Sequence, residues 1–117
     1  MTADTHPAPD APRRALAAER CRNGAPRLSP AEAAALAPAL PGWSIVDDHL
    51  HKSFSFANFD ATMTFVNAVA DVARSQNHHP DLAVSYARCG VTFSTHDAGG
   101  LTRNDFICAA RTESLVA

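Results

Sequence analysis

Pro80 divides the chain where its longest helical pattern meets an alternating one. Upstream, "NFDATMTFVNAVADVARSQN" places Thr62, Phe65, Val66, Val69, Val72 and Ala73 at spacings of three and four. That is the apolar stripe of a helix, with Asn58 or Asp60 available to cap it. Downstream, "DLAVSYA" and "GVTFST" alternate as strands do. Proline disfavours helical geometry in the residue before it, so His79 is expected to be extended. Two adjacent imidazoles, His78 and His79, therefore stand where a helix gives way to a strand.

The remaining elements follow from local signals. In "LSPAEAAALAPAL", Ser29 suits an N-cap, Pro30 the first helical position and Glu32 the third, a capping box. "WSIVDD" and "HLHKSFSF" read as two strands turning at Asp47-Asp48. In the second, Leu50, Lys52, Phe54 and Phe56 share one face, and His49, His51, Ser53 and Ser55 the other. Leu82, Val84 and Tyr86 share a face in the third strand, and Val91, Phe93 and Thr95 in the fourth. Arg88, Cys89 and Gly90 mark the join, as a turn or a bulge. "TRNDFICAARTESL" reads as a helix capped by Thr102, with Phe106, Ile107 and Ala110 on its apolar stripe. The order is helix, two strands, helix, two strands, helix. It predicts an α+β fold of two layers, a four-stranded antiparallel sheet with helices packed on one face. The sheet's open face or free edge invites a second copy, a homodimer or homotetramer.

Residues 1–27 are rich in Ala, Pro and Arg and poor in large apolar side chains. They are expected to be a disordered tail, with a transient turn of helix at Ala15–Arg20, ahead of a single domain over residues 28–117. The tail holds five Arg against three acids, while residues 28–117 hold five bases against nine acids. That balance argues against a nucleic-acid binder, which clusters Lys and Arg to meet phosphates. No apolar run reaches the roughly 18 residues that would span a membrane. The cysteines, Cys21, Cys89 and Cys108, are odd in number and include no C-x-x-C. A disulfide framework is not expected, and a reducing, cytoplasmic setting is.

The chemistry concentrates at element ends. His78 and His79 close the long helix, and His96 closes the fourth strand just before "DAGG". If the last two strands are neighbours, the three imidazoles converge on one cleft at one sheet edge. An imidazole titrates near neutrality and serves as acid or base. The bland alternative is a surface or helix-terminating histidine, which suits a helix C-terminus. His49 and His51 lie on a polar strand face, and His6 in the tail. A metal site fits poorly, because adjacent His78 and His79 splay. Asp105 reads first as a first-turn helix acid, and more sharply as a carboxylate orienting an active-site group. Asp97 is a turn residue or the lip of the cleft. Trp43 and Tyr86 read as core or cleft wall.

"NHHPDLAVSY" followed by "VTFSTHDAGGLTRNDF" resembles the pterin-4a-carbinolamine dehydratases, also called dimerisation cofactors of a homeodomain transcription factor. The residues carrying the resemblance are His78, His79, Pro80, Tyr86, Thr95, His96, Gly99, Gly100 and Asp105. The family usually has an acid four residues before the first histidine, where this chain has Arg74. A guanidinium there would disfavour protonated His78. The resemblance implies dehydration of a 4a-hydroxytetrahydropterin to quinonoid dihydropterin, recycling the cofactor of an aromatic amino acid hydroxylase. It implies His78, His79 and His96 as catalytic residues. Pro80, Thr95, Asp97 and Ala98 would bind substrate, with Asp105 and Arg74 in support. No metal or other cofactor is called for. The alternative within the same fold is a non-catalytic dimerisation or assembly partner.

Overall fold

The computed structural model describes residues 10–117, so the expectation of disorder for residues 1–9 lies outside the described residues. Its elements are α1 (Ala11–Ala17), α2 (Pro30–Leu36), β1 (Ser44–Val46), β2 (His49–Ser55), α3 (Phe59–Gln76), β3 (Asp81–Val84), β4 (Arg88–Phe93) and α4 (Arg103–Ser114). Short 3-10 turns occupy Ala37–Ala39 and His96–Ala98. The four strands form one antiparallel sheet in the order β1-β2-β4-β3, the predicted architecture.

Local chemistry sets the element ends. Ser29 and Glu32 bond reciprocally at the start of α2, at 3.1 and 2.8 Å. Asp47 and Asp48 both have positive φ, 50° and 61°, the backbone that a two-residue hairpin turn requires. Asn58 caps α3 by accepting the Ala61 N–H at 2.8 Å. The β3–β4 turn is one residue group earlier than expected. Ser85 N–H bonds the Arg88 carbonyl at 2.9 Å, and Arg88, Cys89 and Gly90 already lie in β4.

The core sits between the sheet and the helices. Leu50 and Phe54 of β2 and Cys89, Val91 and Phe93 of β4 are buried against Phe65 and Val69 of α3. Lys52 shares the inward face, as its register predicts, and its ammonium meets Glu113, which also accepts the Trp43 Nε1–H at 3.0 Å. The opposite sheet face is open. There the His51 ring bonds Thr92 Oγ1 at 2.8 Å across β2 and β4. It lies over Gly90, where a Cβ would come within 3.3 Å of it. Tyr86 departs from the expected core or cleft wall. It is 68% exposed and stacks on exposed Phe59, because the tight β3–β4 turn lifts it off the sheet.

The larger correction concerns the tail. Residues 10–27 are not a disordered segment: α1 packs on α4, and Leu16 is 4% exposed within the core. Leu16 is the one leucine of these residues. What holds the segment is mostly polar. Arg13 donates to Ser114 Oγ at 2.8 Å, Arg111 to the Glu19 carbonyl at 2.7 Å, and Arg103 to both Glu19 carboxylate oxygens. This cover explains why α4 is buried all round from Asn104 to Ala110 rather than on one stripe. Leu16→Ala should lower the unfolding free energy by about 2–4 kcal/mol, measured by urea denaturation. A change under about 0.5 kcal/mol, the range of a surface substitution, would mean that α1 adds nothing to the core.

Candidate active site

The chain leaves α3 through a left-handed residue. Asn77 has φ 50° and ψ 42°, a conformation that asparagine tolerates better than most residues. The His78 N–H then closes the helix on the Ala73 carbonyl at 3.1 Å. The chain thus turns out of the helix at Asn77, three residues before Pro80. His78 is delivered inward. Its ring lies 6.2 Å from that of Phe93, nearly parallel at 10°. Its Nε2 is 2.6 Å from Asp105 Oδ1.

Asp105 is fully buried. Its two oxygens face different partners. Its Oδ2 accepts the Thr102 backbone N–H at 2.9 Å, the first-turn role, and the Thr95 hydroxyl at 2.8 Å. Its Oδ1 faces His78. Thr102 Oγ1 completes the cluster 2.9 Å from Thr95 Oγ1. Because a carboxylate only accepts, His78 Nε2 carries the proton between them, leaving Nδ1 for other partners. The hydrogen bond to Asp105 holds the His78 pKa above the ordinary imidazole value, against the opposing effect of burial. Arg74 does not act on this ring as expected. It points to solvent and pairs with Asp71 at 2.7 Å.

His78 opens onto a cavity of about 350 Å³. Thr95, Asp97 and Ala98 line it, as does Asn77. So do Arg22, Asn23, Gly24 and Ala25 of the N-terminal strap, and Asn104. The expected convergence of three imidazoles is not seen. His96 lines a neighbouring cleft of about 250 Å³ with His49, Asp47 and Asp48, and Thr95 lines both. His79 is exposed, and neither it nor Pro80 borders either space. The 3-10 turn at His96–Ala98 explains the split, since it sends His96 to one side and Asp97 and Ala98 to the other. Gly99 has φ 72°, and a side chain at Gly100 would meet Arg27 at 2.6 Å, so both glycines suit this loop.

The strap residues and Asn104 were invisible to sequence reasoning. Asn104 Oδ1 accepts the Arg22 N–H at 3.0 Å and Nδ2 donates to the Arg22 carbonyl at 2.7 Å. Gln76 Oε1 accepts the Cys21 N–H at 2.9 Å. Two side-chain amides thus satisfy the backbone of a segment that has no strand partner. The only signal was Asn104 lying beside Asp105 in "TRNDF". Among the described residues, no group of three or more His, Cys, Asp or Glu is placed to hold a metal ion. A buried imidazole oriented by a carboxylate at the wall of a polar cavity can exchange a proton with a bound ligand.

The chain is similar to several known proteins. The sequence pattern of the family described as Pterin 4 alpha carbinolamine dehydratase matches residues 26–115. A Chromobacterium violaceum protein with the provisional name pterin-4-alpha-carbinolamine dehydratase is 59% identical over 80 residues, covering 68% of this chain and 74% of its own. A Stenotrophomonas maltophilia protein of the same provisional name is 50% identical over 105 residues, covering 86% of this chain and 90% of its own. The crystal structure of a transcriptional coactivator/pterin dehydratase from Brucella Melitensis superposes with a TM-score of 0.75 at 31% identity, covering 78% of this chain and 99% of that one. With the His78–Asp105 pair inside the matched span, the chain belongs to the pterin 4 alpha carbinolamine dehydratase family.

Proposed function

We propose that this chain dehydrates a 4a-hydroxytetrahydropterin to the quinonoid dihydropterin, with His78 as the principal proton-transfer group. The observation that carries the reading is the buried His78–Asp105 pair at the wall of the cavity. Hydroxide is a poor leaving group, so the C4a hydroxyl must gain a proton before water departs. A second proton must leave the ring. With its pKa raised, His78 is more often protonated near neutrality than a free imidazole, which suits it to the first step. Asp105 fixes the ring and its tautomer. His96, beyond Thr95, is the candidate acceptor of the second proton. Thr95, Asp97 and Ala98 border the space a flat ring would fill, and their backbone groups are its candidate partners. His79 and Pro80 border neither space, so neither is assigned a contact with the substrate. The reaction belongs with a hydroxylase that releases the carbinolamine, in the cytoplasm, where three free thiols are at home. Among the described residues, no helix is long and apolar enough to cross a membrane.

Quinonoid dihydropterin formation from freshly generated 4a-hydroxytetrahydropterin tests this. His78→Ala should lose about 10²–10⁴ in rate, and His96→Ala a smaller factor. A wild-type rate equal to the spontaneous one would sink the enzyme reading, leaving the non-catalytic partner role. A wild-type rate retained by His78→Ala would sink the assignment of the site.

Asp105→Asn should cost about 10–100-fold, the worth of a hydrogen bond to a charged group. By NMR it should also bring the His78 titration down toward the free imidazole value. Because the folded pKa is raised, protonated His78 stabilises the fold fully below the unfolded pKa of about 6.5. That contribution disappears as pH rises through the higher folded value. A His78 titration unchanged in Asp105→Asn would remove Asp105 as the cause.

We also propose that copies of the chain pair as a homodimer or homotetramer. Among the described residues the outer edge of β3 is unpaired, and beside it Val84, Tyr86 and Phe59 are 43%, 68% and 46% exposed. Light scattering should give a multiple of 12.4 kDa, and Tyr86→Arg should reduce it. A wild-type mass of a single chain at micromolar concentration would contradict this.

A further inference from the structure

Cys21 and Cys108 meet where the N-terminal strap crosses α4. Their Sγ atoms are 3.4 Å apart, across 87 positions of sequence. Cys21 is half-buried and its Sγ also lies 3.6 Å from the Asn104 carbonyl oxygen, while Cys108 is fully buried. The third thiol, Cys89, is buried apart in the β4 face of the core, its Sγ 3.9 Å from the Gly90 carbonyl oxygen. Dehydration of a pterin uses none of these thiols.

We propose that Cys21 and Cys108 form a reversible thiol–disulfide couple, a modification site at which a hydroperoxide oxidises the pair and ties the strap covalently to α4. Forming the bond shortens the separation from 3.4 Å to about 2.05 Å, a movement that side-chain rotation and a small strap shift can supply. The two thiols are unlike. The hydrogen bond from Cys108 holds the Cys21 pKa below the ordinary thiol value, against burial, and nearby His78 and Arg111 act in the same direction. Cys108 is pushed far upward by that same contact and by burial. Cys21 is also the one that a peroxide can reach, since Cys108 has no exposed surface, and it is therefore the attacking thiol.

Its sulfur attacks one peroxide oxygen, the O–O bond breaks, and the departing hydroxide takes up a proton as water. Cys21 is then a sulfenic acid. The Cys108 sulfur gives up its proton and displaces the hydroxyl from the Cys21 sulfur, forming the S–S bond and a second water. Two thiols are oxidised by two electrons, and one peroxide is reduced to two waters. Dithiols reverse the step by exchange.

The consequence is local. Near Cys21 the strap is otherwise held by the hydrogen bonds of Gln76 and Asn104 and, at Glu19, by Arg103 and Arg111. Arg22, Asn23, Gly24 and Ala25 follow directly and line the His78 cavity. Oxidation fixes one wall of that cavity, whatever the cavity binds.

The test treats the reduced full-length chain with hydrogen peroxide and maps it by mass spectrometry without reduction. A Cys21–Cys108 linkage within one chain is expected, reversed by dithiothreitol. The oxidised form should melt about 5 °C or more higher, and Asn23–Ala25 amides should exchange more slowly. Cys89→Ser should leave the linkage intact, and Cys21→Ser should abolish both effects. Cys21 driven to sulfinic acid while Cys108 stays reduced would overturn the proposal. So would linkage of Cys21 to Cys89 or to another chain, or identical exchange in the two forms. The wild-type mapping stands even if a cysteine variant folds poorly.

Discussion

Asp105 is a carboxylate with no exposed surface, and three elements meet on it. It accepts the Thr102 N–H at the start of α4, the Thr95 hydroxyl at the end of β4, and the His78 Nε2–H just past α3. A buried carboxylate without such partners would be costly enough to neutralise or to unfold its surroundings. Holding it in place therefore fixes the relative positions of the long helix, the central strand and the closing helix. The same requirement gives His78 its tautomer and direction. Structural support and catalytic potential thus rest on one set of hydrogen bonds, and a change at Asp105 disturbs both.

Around that carboxylate the site is assembled from unlike materials. Phe93, fully buried in β4, supplies a flat apolar surface beside the imidazole. Asn77 supplies the left-handed step that turns His78 inward. The strap supplies a polar wall, although residues 22–25 precede the span that matches the family pattern. Its backbone is read by the side chains of Gln76 and Asn104. Such contacts are specific but separately weak, at about 0.5–1.5 kcal/mol each, and they yield to modest forces.

The periodic elements were legible because their signals are local. Ser29 with Glu32, Asp47 with Asp48, Asn58, and the apolar spacing from Thr62 to Ala73 each act within a few residues. Each sits where its chemistry predicts. The inward face of β2 followed from alternation alone, including Lys52, whose charge finds Glu113. Residues 10–27 misled because their stability is borrowed. Leu16 is one leucine among alanines and arginines, and only α4 beneath it gives it a core to join. Tyr86 misled for the converse reason, since alternation assigns a face but cannot say where the sheet stops covering it.

By itself the sequence determined the order of elements from α2 onward, the two-layer class, the family and the junction at which His78 stands. These depend on backbone preferences and side-chain periods that act over one or two turns. The tertiary structure alone decided that Asp105 meets His78 and that Arg74 does not. It also decided that His96 opens on a separate cleft and that the strap walls the cavity. Those outcomes depend on distances between residues 27 to more than 80 positions apart, which helix and sheet packing sets and local propensity does not.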